Sequence, residues 1–139
     1  TIKKAGSQAS FKKVDLDCCF SFAKKARESG ATRISLVTSV GANADSKNFY
    51  LRIKGQLENK IKAIGFESVN IFQPGLLLGN RDEIRPIEFL GQYGSFFLNL
   101  FLLGSLKKYR SIEASKVANA MANSSKKSGI NYFSYEDFI

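Results

Sequence analysis

Apolar and polar positions recur along this chain with two periods, and the switches between them mark out its elements. From Val14 to Ser29 apolar residues fall at Leu16, Cys19, Phe20, Ala23 and Ala26, with Lys24, Lys25, Arg27 and Glu28 on the other side. This spacing predicts an amphipathic helix, and Gly30 supplies its stop. Arg33 to Ser39 is short and rich in β-branched residues, and it predicts a strand buried on both faces, as parallel strands are. Gly41 to Asn48 is small and polar and predicts a loop. Helical spacing returns from Tyr50 to Ile64, with Leu51, Ile53, Leu57, Ile61 and Ile64 on one side and Gly65 at the end. Ser68 to Phe72 predicts a second buried strand, stopped by Pro74-Gly75. A later helix is expected over Ala114 to Ala122, and a last short strand within Asn131 to Phe138. Helices alternating with strands predict an α/β architecture, with parallel pairing and right-handed crossovers.

One stretch breaks the pattern. Phe89 to Leu106 carries no charge and is dominated by Phe and Leu, close to the length of a membrane span. Gln92, Asn99 and three glycines interrupt it. The favoured reading is a buried helix or an apolar flap, at about residues 86–108, over a pocket that takes an apolar substrate. Interfacial membrane contact is the looser alternative, with Lys107, Lys108 and Arg110 meeting acidic headgroups.

Composition then narrows the chemistry. The chain has 139 residues, room for one domain. It contains no histidine, which removes a Ser-His-Asp or Cys-His site, a histidine general acid or base, and the usual zinc sets except an all-thiolate one. Two adjacent cysteines, Cys18 and Cys19, cannot supply that set either. They read as free thiols in a reducing compartment, and the expectation drawn from them is a cytoplasmic protein. The net charge of +9 invites a polyanion partner. Its lysines, however, are scattered in pairs with no run of five or more, which argues against nucleic-acid binding as the main role. Thr1 to Ser10 lacks an apolar core of the secretory kind, and residue 1 is not methionine.

The segment that carries chemistry is Ser39 to Lys54. Tyr50 and Lys54 are four apart at the start of a predicted helix, so their side chains rise from one face a turn apart. Ser39 lies where the preceding strand runs out, the end at which open α/β sheets bind ligands. A tyrosine is a poor acid or base at neutral pH unless a neighbouring ammonium stabilises its phenolate. A serine hydroxyl can polarise a carbonyl oxygen as hydride arrives. Such a set needs no histidine. A bare Tyr-x-x-x-Lys also occurs by chance on exposed helix faces, and what adds weight here is the order of strand, Gly-Ala loop, helix and strand ending in Pro74-Gly75.

At these residues the chain resembles the short-chain dehydrogenase/reductase superfamily. It is more closely similar to the atypical branch that contains the Tat-interacting-protein oxidoreductases. The resemblance rests on Val37 to Ala44, Asn48 to Glu58, Phe72 to Arg81 and Tyr109 to Met121. It implies a Rossmann-like three-layer parallel sheet in one domain, and an NAD(P)-dependent transfer of hydride between carbonyl and hydroxyl. It further implies Tyr50 as acid/base, Lys54 as the group that lowers its pKa and holds the nicotinamide ribose, and Ser39 as the polarising hydroxyl, with adjacent Thr38 as a stand-in. Pro74, Gly75 and Leu76 would lie beside the nicotinamide of NADP or NAD. Gln73 replaces the usual arginine of the branch, which puts a local ion pair in question.

The glycine-rich strand-turn-helix that opens such proteins has no match in this chain. Gly41 and Gly75 follow the wrong strands, so both read as turns. The expectation is therefore the C-terminal portion of the fold, from a longer enzyme or a truncated product, inactive alone. Its partners would be a small carbonyl substrate and either a second copy or a complementing N-terminal segment along the open sheet edge. The alternative is a non-catalytic binding protein of the same fold that docks a protein, nucleic acid or membrane.

Overall fold

A computed structural model describes residues 5–78, 104–124 and 127–139. The first element is a continuous helical run in three parts: α1 (Gln8–Lys12), a π-helical turn (Lys13–Cys18) and α2 (Cys19–Glu28). Ser7 caps it, its side chain accepting from the Ser10 N–H, so the helix begins earlier than the apolar spacing alone indicates. The π turn explains why. In an unbroken α-helix Leu16 would stand about 140° around the axis from Phe11, yet both are fully buried in one cluster, because i to i+5 bonding brings them onto one face. Gly30, at φ 94°, closes the run as expected.

β1 (Arg33–Val37), α3 (Phe49–Lys62) and β2 (Ser68–Phe72) follow. Asn48 caps α3, its side chain accepting from the Leu51 N–H at 3.2 Å, and Gly65 at φ 89° ends the turn after it. Further on come β3 (Leu77–Leu78), a 3-10 segment (Gly104–Tyr109), β4 (Ile112–Glu113), α4 (Ala114–Asn123), β5 (Gly129–Phe133) and a 3-10 turn (Tyr135–Asp137).

The main sheet runs β1-β2-β5 with both pairings parallel, in the register Arg33 to Ser68 to Gly129. β3 and β4 form a second, two-stranded parallel pair that no periodicity announces. β5 starts two residues before its expected range, because Gly129 takes the register position opposite Ser68, and the chain leaves the sheet at Ser134.

β2 is buried at every position, as expected. Its residues alternate between two environments. Val69 and Ile71 join Phe11, Leu16, Ile53, Leu57 and Ile61 under the helices of the first half. Phe72 joins Val117 of α4, with Ile112, Phe133 and Phe138, and stacks on Phe133 at 4.5 Å between centroids. Helices thus cover the sheet from both sides, which is the three-layer Rossmann-like α/β class. Two polar positions of β2 are satisfied in place. Ser68 Oγ donates to the Lys127 carbonyl, and Asn70 Nδ2 donates to the Ser124 carbonyl at 3.1 Å. Each Val, Leu, Ile or Phe of this core contributes roughly 1.5–3 kcal/mol when fully buried.

β1 departs from expectation. Arg33, Ser35 and Val37 are exposed while Ile34 and Leu36 are half-buried, so it is covered on one face only. Arg33 and Ser35 alternate with Ile34 and Leu36, the period-2 pattern of a half-covered strand, and its β-branched content had suggested otherwise. Most of the expected flap at 86–108 lies outside the described residues. Among those described, no helix is long and apolar enough to cross a membrane.

Candidate active site

Ser39 follows β1 directly, and the loop from Val40 to Asn48 returns the chain to α3. Small polar residues wire this loop together. The Asp45 N–H donates to Asn43 Oδ1 at 2.9 Å, and Arg52 Nη1 reaches back to the Ser46 carbonyl at 2.8 Å. The Asn43 N–H donates to the Leu51 carbonyl at 3.1 Å, laying the loop along the helix. Gly55 permits that approach, since a Cβ there would sit 2.2 Å from the Ala44 nitrogen. Gly55 escaped sequence reasoning; a glycine in mid-helix, directly after Lys54, was the available signal.

Tyr50 lies in the first turn of α3 and Lys54 one turn on. Lys54 Nζ is 5.7 Å from the Tyr50 ring centroid and 5.9 Å from that of Phe11. The two rings are 5.8 Å apart and tilted by 47°. The ammonium also donates to Asp15 Oδ1 at 2.6 Å, from the π turn 39 positions earlier. These side chains are 13% and 26% exposed, so solvent screens the pair less than a surface bridge. Asp15 was not anticipated, because nothing in its local spacing points at Lys54.

Ser39 is half-buried, and its Oγ donates to the Val40 carbonyl at 3.3 Å. Among the described residues no hydrogen bond joins it to Tyr50 or Lys54. Thr38 is placed differently. Buried at the end of β1, its Oγ1 donates to Glu58 Oε1 at 2.5 Å. Each hydroxyl gives its single proton, Thr38 to a buried carboxylate at 2.5 Å and Ser39 to a backbone carbonyl at the longer distance of 3.3 Å, so of the two Ser39 is the more readily released. Gln73 Nε2 donates to both oxygens of the same Glu58, at 3.0 and 3.2 Å. The partner here is an amide, so no positive charge from this side chain stands opposite the carboxylate.

Pro74 is buried, Gly75 half-buried and Leu76 exposed. The Val40 N–H donates to the Pro74 carbonyl at 2.9 Å, which joins the two strand ends. A Cβ on Gly75 would lie 2.5 Å from the Arg110 carbonyl oxygen, so this glycine serves close backbone packing. The donor set suits the nicotinamide-ribose end of a dinucleotide: Lys54 has further N–H donors beside the one given to Asp15, Tyr50 carries a hydroxyl, and Leu76 offers apolar surface. The pyrophosphate end is another matter. Gly75 is closed off by packing, and a Cβ on Gly41 would meet the Leu51 side chain at 3.7 Å.

The thiol of Cys19 donates to the Val14 carbonyl at 3.4 Å. Partial burial pushes its pKa up, Asp15 adds to the rise, and Lys54 opposes it. On the far side of α3 a cleft of about 290 Å³ is lined by Asn43, Gly55, Glu58, Lys62, Gln73 and Tyr132. Tyr50 and Lys54 do not line it. Among the described residues there is no cluster of acidic or thiol groups fit for a metal ion.

No family model matches the chain. It is similar to Protein FMP52, mitochondrial, of Candida albicans, at 39% identity over 120 residues, 85% of this chain and 52% of that protein. Similarity to Protein FMP52-1, mitochondrial, of Scheffersomyces stipitis is 45% over 83 residues, 60% and 37% of the two chains. Similarity to Protein HTATIP2 of Rattus norvegicus is 37% over 92 residues, 66% and 38%. The chain thus spans about half, or less, of the length of the curated relatives it matches. The fungal relatives bear the designation mitochondrial, which overturns the cytoplasmic expectation. Free thiols speak to redox environment, whereas an organelle address is written in a targeting segment.

Proposed function

We propose that this chain supplies the catalytic and substrate side of an NAD(P)-dependent oxidoreductase of the atypical short-chain dehydrogenase/reductase kind, acting on a small carbonyl compound at the mitochondrion. The observation that carries the reading is the Tyr50–Lys54 pair, an ammonium 5.7 Å from a phenol ring on the helix that follows β1. Similarity to the FMP52 proteins and to HTATIP2 supports it at the level of the family.

In this reading Tyr50 donates a proton to the substrate oxygen on reduction and accepts it on oxidation. Lys54 stabilises the negative charge that the tyrosine acquires and offers its remaining N–H groups to ribose hydroxyls. Ser39 donates a hydrogen bond to the carbonyl oxygen and so stabilises charge developing there. Pro74, Gly75 and Leu76 form the wall against the nicotinamide. The nicotinamide, when bound, supplies or accepts the hydride.

Fluorescence or calorimetric titration of the full-length gene product with NADPH and NADH, followed by a carbonyl-reduction assay, tests the reading. Cofactor binding with turnover is expected, with NADPH preferred. A folded full-length protein that binds neither cofactor would sink the enzyme reading and favour a non-catalytic binding protein of the same fold.

A further inference from the structure

We propose that Tyr109 is a specificity-determining residue of the candidate site: its ring forms part of the wall that receives the group attached to the substrate carbonyl, and it selects an aryl or similarly flat apolar group. The proposal rests on the reading of Ser39 and of Pro74 to Leu76 as the two sides of the reaction site.

Tyr109 ends the 3-10 segment Gly104–Tyr109 and reaches both sides. Its main chain lies against one of them, since a Cβ on Gly75 would fall 2.9 Å from the Tyr109 carbonyl oxygen and 2.5 Å from that of Arg110. Its side chain approaches the other, since a Cβ on Gly41 would fall 4.0 Å from the Tyr109 hydroxyl. Gly41 belongs to the turn that opens at Ser39, where the Ala42 N–H donates to the Ser39 carbonyl at 3.0 Å and Gly41 takes a φ of 78°. Between the two sides runs the seam that the Val40 N–H closes on the Pro74 carbonyl. Tyr109 therefore bridges the polarising hydroxyl's turn and the nicotinamide wall. Main chain packed on main chain at Gly75 fixes the point from which its ring departs.

The surface offered there is flat and apolar. Tyr109 is 44% exposed, and Leu106 and Leu76 are 48% and 52% exposed. Leu106 and Tyr109 are three apart in a 3-10 segment, so their side chains eclipse on one face, and Leu76 follows Gly75 directly. The Lys108 ammonium stands 5.4 Å from the Tyr109 ring centroid, a cation–π approach that further restrains the ring. An aromatic group placed on a phenol ring gains more than its buried area, whereas a short alkyl chain gains the area alone.

Tyr109→Leu keeps apolar bulk and removes the aromatic face, whereas Tyr109→Phe keeps the face and removes the hydroxyl. The full-length protein is expected to prefer benzaldehyde to propanal in kcat/KM. Tyr109→Leu is expected to lower that preference about tenfold, mainly through KM for benzaldehyde, which is the order of worth of an aromatic pair. Tyr109→Phe is expected to retain it. A merely structural role would move both aldehydes alike. A preference absent from the parent, or undiminished in Tyr109→Leu while reduction proceeds, overturns the proposal alone.

A second readout needs no turnover. Saturation-transfer NMR with benzyl alcohol is expected to show transfer to its ring protons from the parent and from Tyr109→Phe, and clearly weaker transfer from Tyr109→Leu. Transfer that is absent from the parent, or as strong in Tyr109→Leu, overturns the proposal whether or not the enzyme reading stands. Transfer that depends on Tyr109 in a protein that reduces no carbonyl upholds the aromatic wall and overturns the oxidoreductase reading alone.

Discussion

Thr38 and Glu58 are joined by a buried hydrogen bond, Thr38 Oγ1 donating to Glu58 Oε1 at 2.5 Å. The same carboxylate accepts from Gln73 Nε2, so one side chain of α3 ties together the ends of β1 and β2. Ser39 follows Thr38, and Pro74 follows Gln73. The spacing between the proposed polarising hydroxyl and the proposed nicotinamide wall is therefore held by a group that belongs to neither.

Removing that group has a calculable cost. Glu58→Ala leaves two donors without their acceptor, and a buried unsatisfied polar group costs about 1–3 kcal/mol. Urea unfolding is expected to show a loss in this range for Thr38, and less for the half-buried Gln73. A midpoint like that of the parent chain would mean that the strand ends are held without Glu58.

Gly55→Ala sets two effects against each other. Alanine is favoured over glycine within a helix by about 1 kcal/mol. Against this, the new Cβ would fall 2.2 Å from the Ala44 nitrogen and 2.3 Å from the Asn43 carbonyl carbon, and backbone atoms yield poorly. Overpacking of this kind costs roughly 1–3 kcal/mol. Net destabilisation in urea unfolding is expected, with the 42–45 loop displaced; a more stable variant would show that the loop does not seat against α3.

Tyr50→Phe tests the assigned proton donor. The ring keeps its contacts with Phe11 and Lys54, so stability should change by no more than about 0.5 kcal/mol. Carbonyl reduction by the full-length protein should fall by about 10²- to 10⁴-fold, the usual worth of a positioned acid or base. Undiminished turnover would remove Tyr50 from the role.

The adjacent thiols should differ in reactivity. Cys19 is pushed up by partial burial and by Asp15, so less of it is thiolate near neutrality. Both thiols are exposed, so the raised value alone should make iodoacetamide modify Cys19 the more slowly, and equal rates would contradict the assignment. The raised value also carries a stability consequence. The folded chain retains this proton where the unfolded chain has lost it, so stability falls as pH rises through the ordinary thiol range. Cys19→Ser should flatten that decline.

Much of the fold was legible where order is local. The apolar spacing over Leu51, Ile53, Leu57 and Ile61 becomes α3, and the unbroken run Ser68 to Phe72 becomes the buried β2. The α1–α2 run was half legible, because the π turn between Phe11 and Leu16 defeats a 3.6-residue period. β3 and β4 pair over two residues each, too short for any pattern to register. Of the candidate site, the residues on one element were visible and their supports on other elements were not.

By itself the sequence determined the alternation of helix and strand, the α/β class and the placement of Tyr50 and Lys54 one turn apart. These follow from the geometry of a single element, which sets how side chains four residues apart are disposed. Tertiary structure alone decided that β1 is covered on one face, that Gly55 must stay small, that Glu58 gathers two strand ends and that Asp15 reaches Lys54 across 39 positions. Periodicity states which way a side chain leaves its own axis; what it meets there depends on how separate elements pack.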